Sequence, residues 1–278
     1  MIDNILYIIK IPFIFPFMQK AIIIAVVIGT VCAILSCFLI LKGWSLMGDA
    51  ISHAVLPGIV ITFMCGIELS IGAFLSGIFC TIATGFLKEH SRIKEDTIMG
   101  IVFSGMFAIG LILFAYVDTN QHLLHIMFGN MLGISNTTFI NVICTAIFII
   151  LIILIKRKDF LLYCFDINHA KIINLPVKII HYGLLMLLSL SIVISLQVVG
   201  LILVIAMLIT PGIVAFVLCK NFNHMLIVAV ISSVSSSVIG TIISFHIDAS
   251  TGPCIVLIQS CYFIFALIYN YVKNKILI

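Results

Sequence analysis

The stretch AIIIAVVIGTVCAILSCFLIL, residues 21–41, contains no charged residue. About 20 apolar residues in an α-helix cross a lipid hydrocarbon core roughly 30 Å thick. The apolar positions do not alternate with polar ones, so the run reads as a helix and not as a barrel strand. It is also not isolated. Hydrophobic residues make up 63% of the 278-residue chain and charged residues 9%, with a mean hydropathy of +1.37. A soluble domain is usually about half apolar and about a quarter charged. The composition therefore predicts an all-α, polytopic transmembrane bundle, since helices satisfy their own backbone groups in lipid. Residues 1–278 are expected to form one transmembrane domain, with no soluble catalytic domain.

Apolar runs between charges predict spans near 18–41, 46–66, 68–88, 97–117, 137–155, 178–197, 199–219, 223–245 and 252–272. Lysine and arginine then orient them, because basic loops stay on the cytoplasmic side. If every run crosses, Lys42, Lys88, Arg92, Lys94, Lys156, Arg157, Lys158, Lys171, Lys178, Lys220, Lys273 and Lys275 share one side. Only Lys10 and Lys20 fall on the other, which puts the N-terminus outside and the C-terminus inside. The run VGLILVIAMLITPG (199–212) ends in Thr-Pro-Gly, and a short or re-entrant segment there would leave eight crossings. Pro12 and Pro16 interrupt the first 20 residues, which do not read as a cleavable signal.

The formal charge of +4 does not point to nucleic acid, because the basic residues are scattered among apolar runs without an aromatic platform. The nine cysteines have no C-x-x-C pair and read as small buried residues. Two loops stand out. The outer loop VDTNQHLLHIMFGNMLGISN (117–136) has an amphipathic middle, read as a short helix. The inner loop KRKDFLLYCFDINHAKIINLPVK (156–178) is the longest polar stretch. Asp166 is expected to cap a short helix over 167–173, with Pro176 stopping it.

Chemistry concentrates in GDAISHAVLPG (48–58). Asp49 and His53 are spaced i, i+4 and share one helix face. Pro57, four residues on, removes the N–H that would bond the His53 carbonyl, which is expected to open the helix there. Gly48 and Gly58 permit close helix approach. A carboxylate with an imidazole is a ligand pair for a divalent metal, but two ligands are too few: Zn²⁺ takes about four and Mn²⁺ about six. A twofold dimer would bring two such pairs together. The mixed oxygen–nitrogen set suits Mn²⁺, Fe²⁺ or Zn²⁺ and argues against Cu(I). A histidine ligand binds as neutral imidazole, so such a site should weaken in acid. A surface N-cap for Asp49, an interhelical hydrogen bond for His53, or a proton relay through both remain open on the residues alone.

LKGWSLMGDAISHAVLPGIV (41–60) resembles the signature region of the metal-type ABC importer permeases, which move manganese, iron or zinc. RIKEDTIMGIVFSG (92–105), HLLHIMFGNMLGIS (122–135), VVGLILVIAMLITPG (198–212) and STGPCIVL (250–257) resemble further blocks of that family in the same order, over nearly the whole chain. The wording of GDAISHAVLPG and HLLHIMFGN is closer to the manganese/chelated-iron branch than to the zinc branch. The resemblance implies a multi-pass subunit of a bacterial plasma membrane, paired with a second copy or a paralogous permease. It implies Asp49 and His53 as metal ligands. It also implies a cytoplasmic ATPase docked on the inner loop, and an extracytoplasmic metal-binding protein as donor. The coupling helix would lie near 166–175, drawing on Asp166, His169, Lys171 and Asn174. Asn174 stands where such proteins often carry glycine, in AKIINLP (170–176). No G-x-x-x-x-G-K-[ST] occurs, so ATP would be held by the partner and no cofactor permanently by this chain.

Asp118, His122 and His125, at i, i+4 and i+7 of the outer loop, are candidates for an entrance site, or else the polar face of a surface helix. His246 and Asp248 read as loop capping in preference to ligation, Glu68 as an exposed turn residue, and Glu89, Glu95 and Asp96, among Arg92 and Lys94, as loop pairing or contact with the ATPase. Two other functions compete. An ion-coupled secondary transporter would use Asp49 and His53 as a relay, usually with an inverted repeat, and none is visible. An intramembrane metalloenzyme would need a set such as H-E-x-x-H, which is absent.

Overall fold

The computed structural model describes residues 11–44, 46–116, 131 and 133–276, and every regular element among them is helical. Helix α1 spans Pro16–Lys42, α2 Met47–Ala54, α3 Leu56–Cys65, α4 Leu69–His90 and α5 Glu95–Ala115. Helix α6 spans Asn136–Ile155, followed by the short α7 (Arg157–Phe165) and α8 (Ile167–Ile172). The rest are α9 (Val177–Val199), α10 (Leu201–Leu218), α11 (Phe222–Ile247) and α12 (Thr251–Ile276). Eight segments are long and apolar enough to cross a membrane, with α2 and α3 acting as one, and the apolar Leu203–Leu218 is shorter.

Contacts between helix ends settle the number of crossings. At one end of the bundle Lys20 donates to Asn136 at 2.6 Å, and Phe15 meets Phe245 at 5.8 Å. At the other, Lys178 pairs with Glu89 at 3.0 Å, Phe38 meets Phe222 at 5.1 Å, and Arg157 bonds Asn223. Helices α9 and α11 thus both start at the second end. The chain between them has to return, and α10 makes that return. Its 18 residues reach about 27 Å. The described chain therefore traverses the bundle nine times, and α10 is neither re-entrant nor stopped at Thr210-Pro211-Gly212. The loops 43–46, 91–94, 156–176 and 219–221 all lie at the Lys178 end, which carries the basic residues and is the cytoplasmic side by the positive-inside rule.

Proline at 211 denies the Met207 carbonyl its helix donor, and a neighbour bonds into the same turn. The buried Ser36 hydroxyl of α1 donates to the Ile209 carbonyl at 3.1 Å and accepts from the Gly212 N–H at 3.0 Å. Gly212 allows this approach, since a Cβ there would stand 2.4 Å from Ser36 Oγ. Helix α1, apolar all round, is the buried centre, packed by α10, α11, α6 and α7. Small polar residues bind the rest of the interior, as expected where lipid supplies no hydrophobic drive between helices. Ser233 Oγ of α11 donates to the Gly29 carbonyl at 2.9 Å. Helices α5, α6 and α12 carry much of the exposed apolar surface, through Ile101, Ile112, Ile147, Leu154, Phe265 and Ile268.

The inner loop contains one helix more than expected. Helix α7 precedes α8 and buries Phe160, Tyr163 and Cys164. The expected cap is present: Asp166 accepts from Asn168 N at 2.9 Å and His169 N at 3.0 Å. Asn174 adopts φ 57°, the left-handed conformation glycine would take, with Leu175 N bonding the Ala170 carbonyl at 3.0 Å.

Candidate metal site

The expected span 46–66 is two helices meeting at Val55, with Pro57 in the first turn of the second. The regular helix is interrupted at this point, where Pro57 has no N–H for the His53 carbonyl, while the bonds on either side persist. Val55 keeps helical dihedrals (φ −72°, ψ −23°), its N–H bonds the Ile51 carbonyl at 3.1 Å, and Ile59 N bonds the Val55 carbonyl at 3.2 Å. Proline is tolerated because it starts α3, where its missing N–H matters least. The kink is gripped on two sides. Ser76 of α4 donates to the Ala54 carbonyl at 2.7 Å. Gly58 and Gly72 bring α3 and α4 into backbone contact, since a Cβ on Gly58 would lie 2.0 Å from the Gly72 oxygen. On the α5 side, a Cβ at Gly110 would come within 3.0 Å of the Pro57 nitrogen. Gly48 is less crowded, with Leu208 Cδ1 at 3.4 Å from the equivalent position.

Within this frame His53 Nε2 stands 3.2 Å from Asp49 Oδ1. Two donors about 2.1 Å from one ion lie about 3.0 Å apart at octahedral corners and about 3.4 Å apart at tetrahedral ones. The spacing is compatible with one edge of a coordination shell, as it is with a direct hydrogen-bonded pair. The ring of His53 is held by Phe103, near-parallel at 6.2 Å, and Phe107, edge-on at 4.9 Å, both from α5. The His53 side chain is 28% exposed and that of Asp49 35%, so both reach the surface of the single chain. His53 Nδ1 is buried and without a hydrogen-bond partner. Among the described residues no three His, Cys, Asp or Glu side chains cluster as a metal cage, and the Asp49–His53 pair stands there without a third such ligand.

Asp118, His122 and His125 lie outside the described residues. Asp166, His169, Lys171 and Asn174 come together in the α7–α8–α9 loop, where Asp166 caps α8 and the Lys171 carbonyl accepts from Asn174 N at 3.0 Å. They lie on the cytoplasmic side, and Asp49 and His53 sit within the membrane-crossing α2. Asp248 adopts φ 56° at the end of α11, where Ser244 Oγ bonds the Ala249 carbonyl at 2.6 Å, as loop capping requires. Glu68 accepts from Ser70 at 2.7 Å and, with Thr138 and Gln197, lines a cavity of about 410 Å³ at the outer end. Glu89 pairs with Lys178 instead of Arg92 or Lys94, because α4 ends against the start of α9. The residues that hold the pair in place, Ser76, Phe103, Phe107 and Gly110, carry no local signal, since each acts from another helix.

The profile of the family described as the ABC 3 transport family matches residues 14–270. The chain is 67% identical over 262 residues to the chelated iron transport system membrane protein YfeD of Yersinia pestis, covering 94% of this chain and 88% of that protein. It is 49% identical over 257 residues to the manganese transport system membrane protein MntB of Synechocystis sp., covering 92% and 84%. Among solved structures, PsaBC from Streptococcus pneumoniae in complex with Fab superposes with a TM-score of 0.83 at 37% identity, covering 96% of this chain and 95% of that one. The profile spans all nine traverses, from α1 to the last third of α12, and the site helix lies inside it: the chain belongs to the ABC 3 transport family, as a multi-pass membrane permease.

Proposed function

We propose that this permease moves Mn²⁺ or Fe²⁺ inward across a bacterial plasma membrane, with Zn²⁺ as a competing ion, and that Asp49 and His53 are its ligands. The observation that carries the reading is the 3.2 Å edge between Asp49 Oδ1 and His53 Nε2 on a kinked, partly exposed helix. An oxygen–nitrogen pair fits these ions, and relatives of this chain are named for chelated iron and manganese transport. The metal is cargo, and no permanent cofactor is assigned. Because the described residues offer two ligands, the working unit pairs this chain with a second copy or a paralogous permease. Four protein ligands and water then complete the shell.

Energy comes from a separate cytoplasmic ATPase seated on the α7–α8 loop, with Asp166, His169, Lys171 and Asn174 shaping the seat. The chain itself has no phosphate-binding loop of the G-x-x-x-x-G-K-[ST] type. An extracytoplasmic binding protein delivers the metal, and Asp118, His122 and His125 remain candidates for its entrance. The pair of permease subunits then rocks between outward and inward openings around the shared ion. Membership of an ABC family sets aside the ion-coupled secondary transporter and the metalloenzyme.

Asp49→Ala tests the site. Metal uptake by cells carrying it should fall to background, while the variant still copurifies with its ATPase. Wild-type accumulation by this variant would remove Asp49 from the path.

A further inference from the structure

The cytoplasmic end of the bundle contains a cluster that none of the roles above uses. Helix α1 ends at Gly43 (φ 76°), where Gly43 N bonds the Ile40 carbonyl at 3.1 Å and Trp44 N bonds the Leu39 carbonyl at 2.9 Å. This turn folds Trp44 back into the interior, where it is 2% exposed. Trp44 stands five residues before Asp49, and its carbonyl accepts from Met47 N at 3.2 Å, at the first turn of the site helix. Its ring meets His181 of α9 edge-on at 5.4 Å. His181 Nδ1 bonds the hydroxyl of Tyr163 of α7 at 2.7 Å. Lys42 Nζ lies over the Tyr163 ring at 4.1 Å and 5.9 Å from the Trp44 ring. Tyr182 beside His181 fills the notch left by Gly85 of α4.

Four groups thus join three elements: the α1–α2 turn, α7 and α9. Helix α8, at the tip of the inner loop, leans on α7 and α9. A push on α8 is therefore received by the two elements that Tyr163 and His181 connect to the base of α2. Tyr163 is buried, at 3% exposed, and Cys164 next to it is buried too. Burial pushes the Cys164 thiol up to about 12, with Lys42 drawing it down. The lysine charge thus lies over the buried ring of Tyr163, where cation–ring attraction is stronger than at an exposed site.

We propose that Lys42, Trp44, Tyr163 and His181 form a clasp that transmits displacement of the α7–α8 loop to the helix carrying Asp49 and His53. They are positioning residues and touch no metal. The inference rests on the reading of the chain as an ATPase-driven metal permease. In that reading the clasp makes α7, α9 and the base of α2 move as one body, so that ATP turnover below is felt at the ligand pair above.

The test is Mn²⁺ uptake against ATP hydrolysis in proteoliposomes holding the complete complex with its ATPase. Tyr163→Phe removes the bond to His181 and keeps the ring beneath Lys42. Lys42→Met removes the cation, and Lys42→Arg restores it. Each of the first two variants should lower Mn²⁺ moved per ATP hydrolysed by about 5-fold, the weight of one hydrogen bond or cation–ring contact. ATP turnover and Mn²⁺ affinity should hold, and Lys42→Arg should recover the ratio. An unchanged ratio in both variants would overturn the clasp. So would uptake and hydrolysis falling in step, which marks a merely structural role. Wild-type complex that hydrolyses ATP without moving Mn²⁺ would instead sink the permease reading itself.

Discussion

Asp49 and His53 pair at 3.2 Å within a membrane-crossing segment. Their carboxylate and imidazole are partly exposed on a helix otherwise packed by apolar side chains, and His53 Nδ1 is buried without a partner. An unmet buried nitrogen costs roughly 1–3 kcal/mol. The ring is steered by Phe103 and Phe107, so its direction is fixed before any ion arrives. Removing the nearer wall, with Phe107→Ala, should weaken Mn²⁺ uptake by about 10-fold at low metal and leave the maximal rate nearly intact. A loss of maximal rate at unchanged half-saturation would assign Phe107 to the moving parts and not to the ligand. Residue-scale conformation is equally testable at Asn174, which holds φ 57° in the coupling loop. Asn174→Gly should leave thermal stability and ATPase copurification unchanged. Asn174→Val should cost about 1–2 kcal/mol, read as a lower unfolding temperature and a weaker hold on the ATPase. Equal behaviour of the two variants would mean that the left-handed turn is not needed.

At the scale of elements, local signals were good guides wherever a helix answers only to its own sequence. Asp166 capped α8, Pro176 stood at its exit and Asn174 took the left-handed turn, all as the residues indicate. Around Pro211 and Pro57 the residues indicate a weakened helix but not what holds it. A proline weakens its own helix by a predictable amount, but the compensation comes from another helix and is not written nearby. Ser36, 175 residues upstream of Pro211, inserts its hydroxyl into the weakened turn of α10. Ser76 caps the Ala54 carbonyl beside the kink in the site helix. Helix α7 was missed for a related reason: its polar start reads as loop, and the burial of Phe160 and Tyr163 that stabilises it comes from neighbouring helices. The Ser36 contact can be isolated by a double-mutant cycle. Ser36→Ala should destabilise the folded permease by about 1–3 kcal/mol in thermal unfolding. In a Pro211→Ala background, where α10 regains its own N–H, that cost should shrink clearly. The same cost in both backgrounds would show that Ser36 serves some other contact.

For the whole molecule, composition alone was enough to identify a helical membrane bundle, and a single 11-residue stretch was enough to single out the Asp49–His53 pair proposed as ligands. The sequence left the count of crossings open, because α10 is short and proline-bearing. Geometry settled it, since α9 and α11 begin at the same end. If Asp49 and His53 are the ligands, the shell is incomplete among the described residues. Two ligands cannot hold a transported divalent ion, and among the described residues no third ligand stands near. The physical consequence is a stoichiometry. If the ion rests between two permease subunits, desalted complex saturated with Mn²⁺ should retain one ion per pair of permease subunits, as measured by elemental analysis. The same sharing predicts a dominant effect. A complex in which only one subunit carries Asp49→Ala keeps three of the four ligands, yet it should lose most of its retained Mn²⁺, because the remaining pair no longer closes the shell. Two ions per permease pair, with half retained after the single-subunit substitution, would mean that each Asp49–His53 pair binds alone. The reason for the exposed face of α2 would then have to be sought elsewhere.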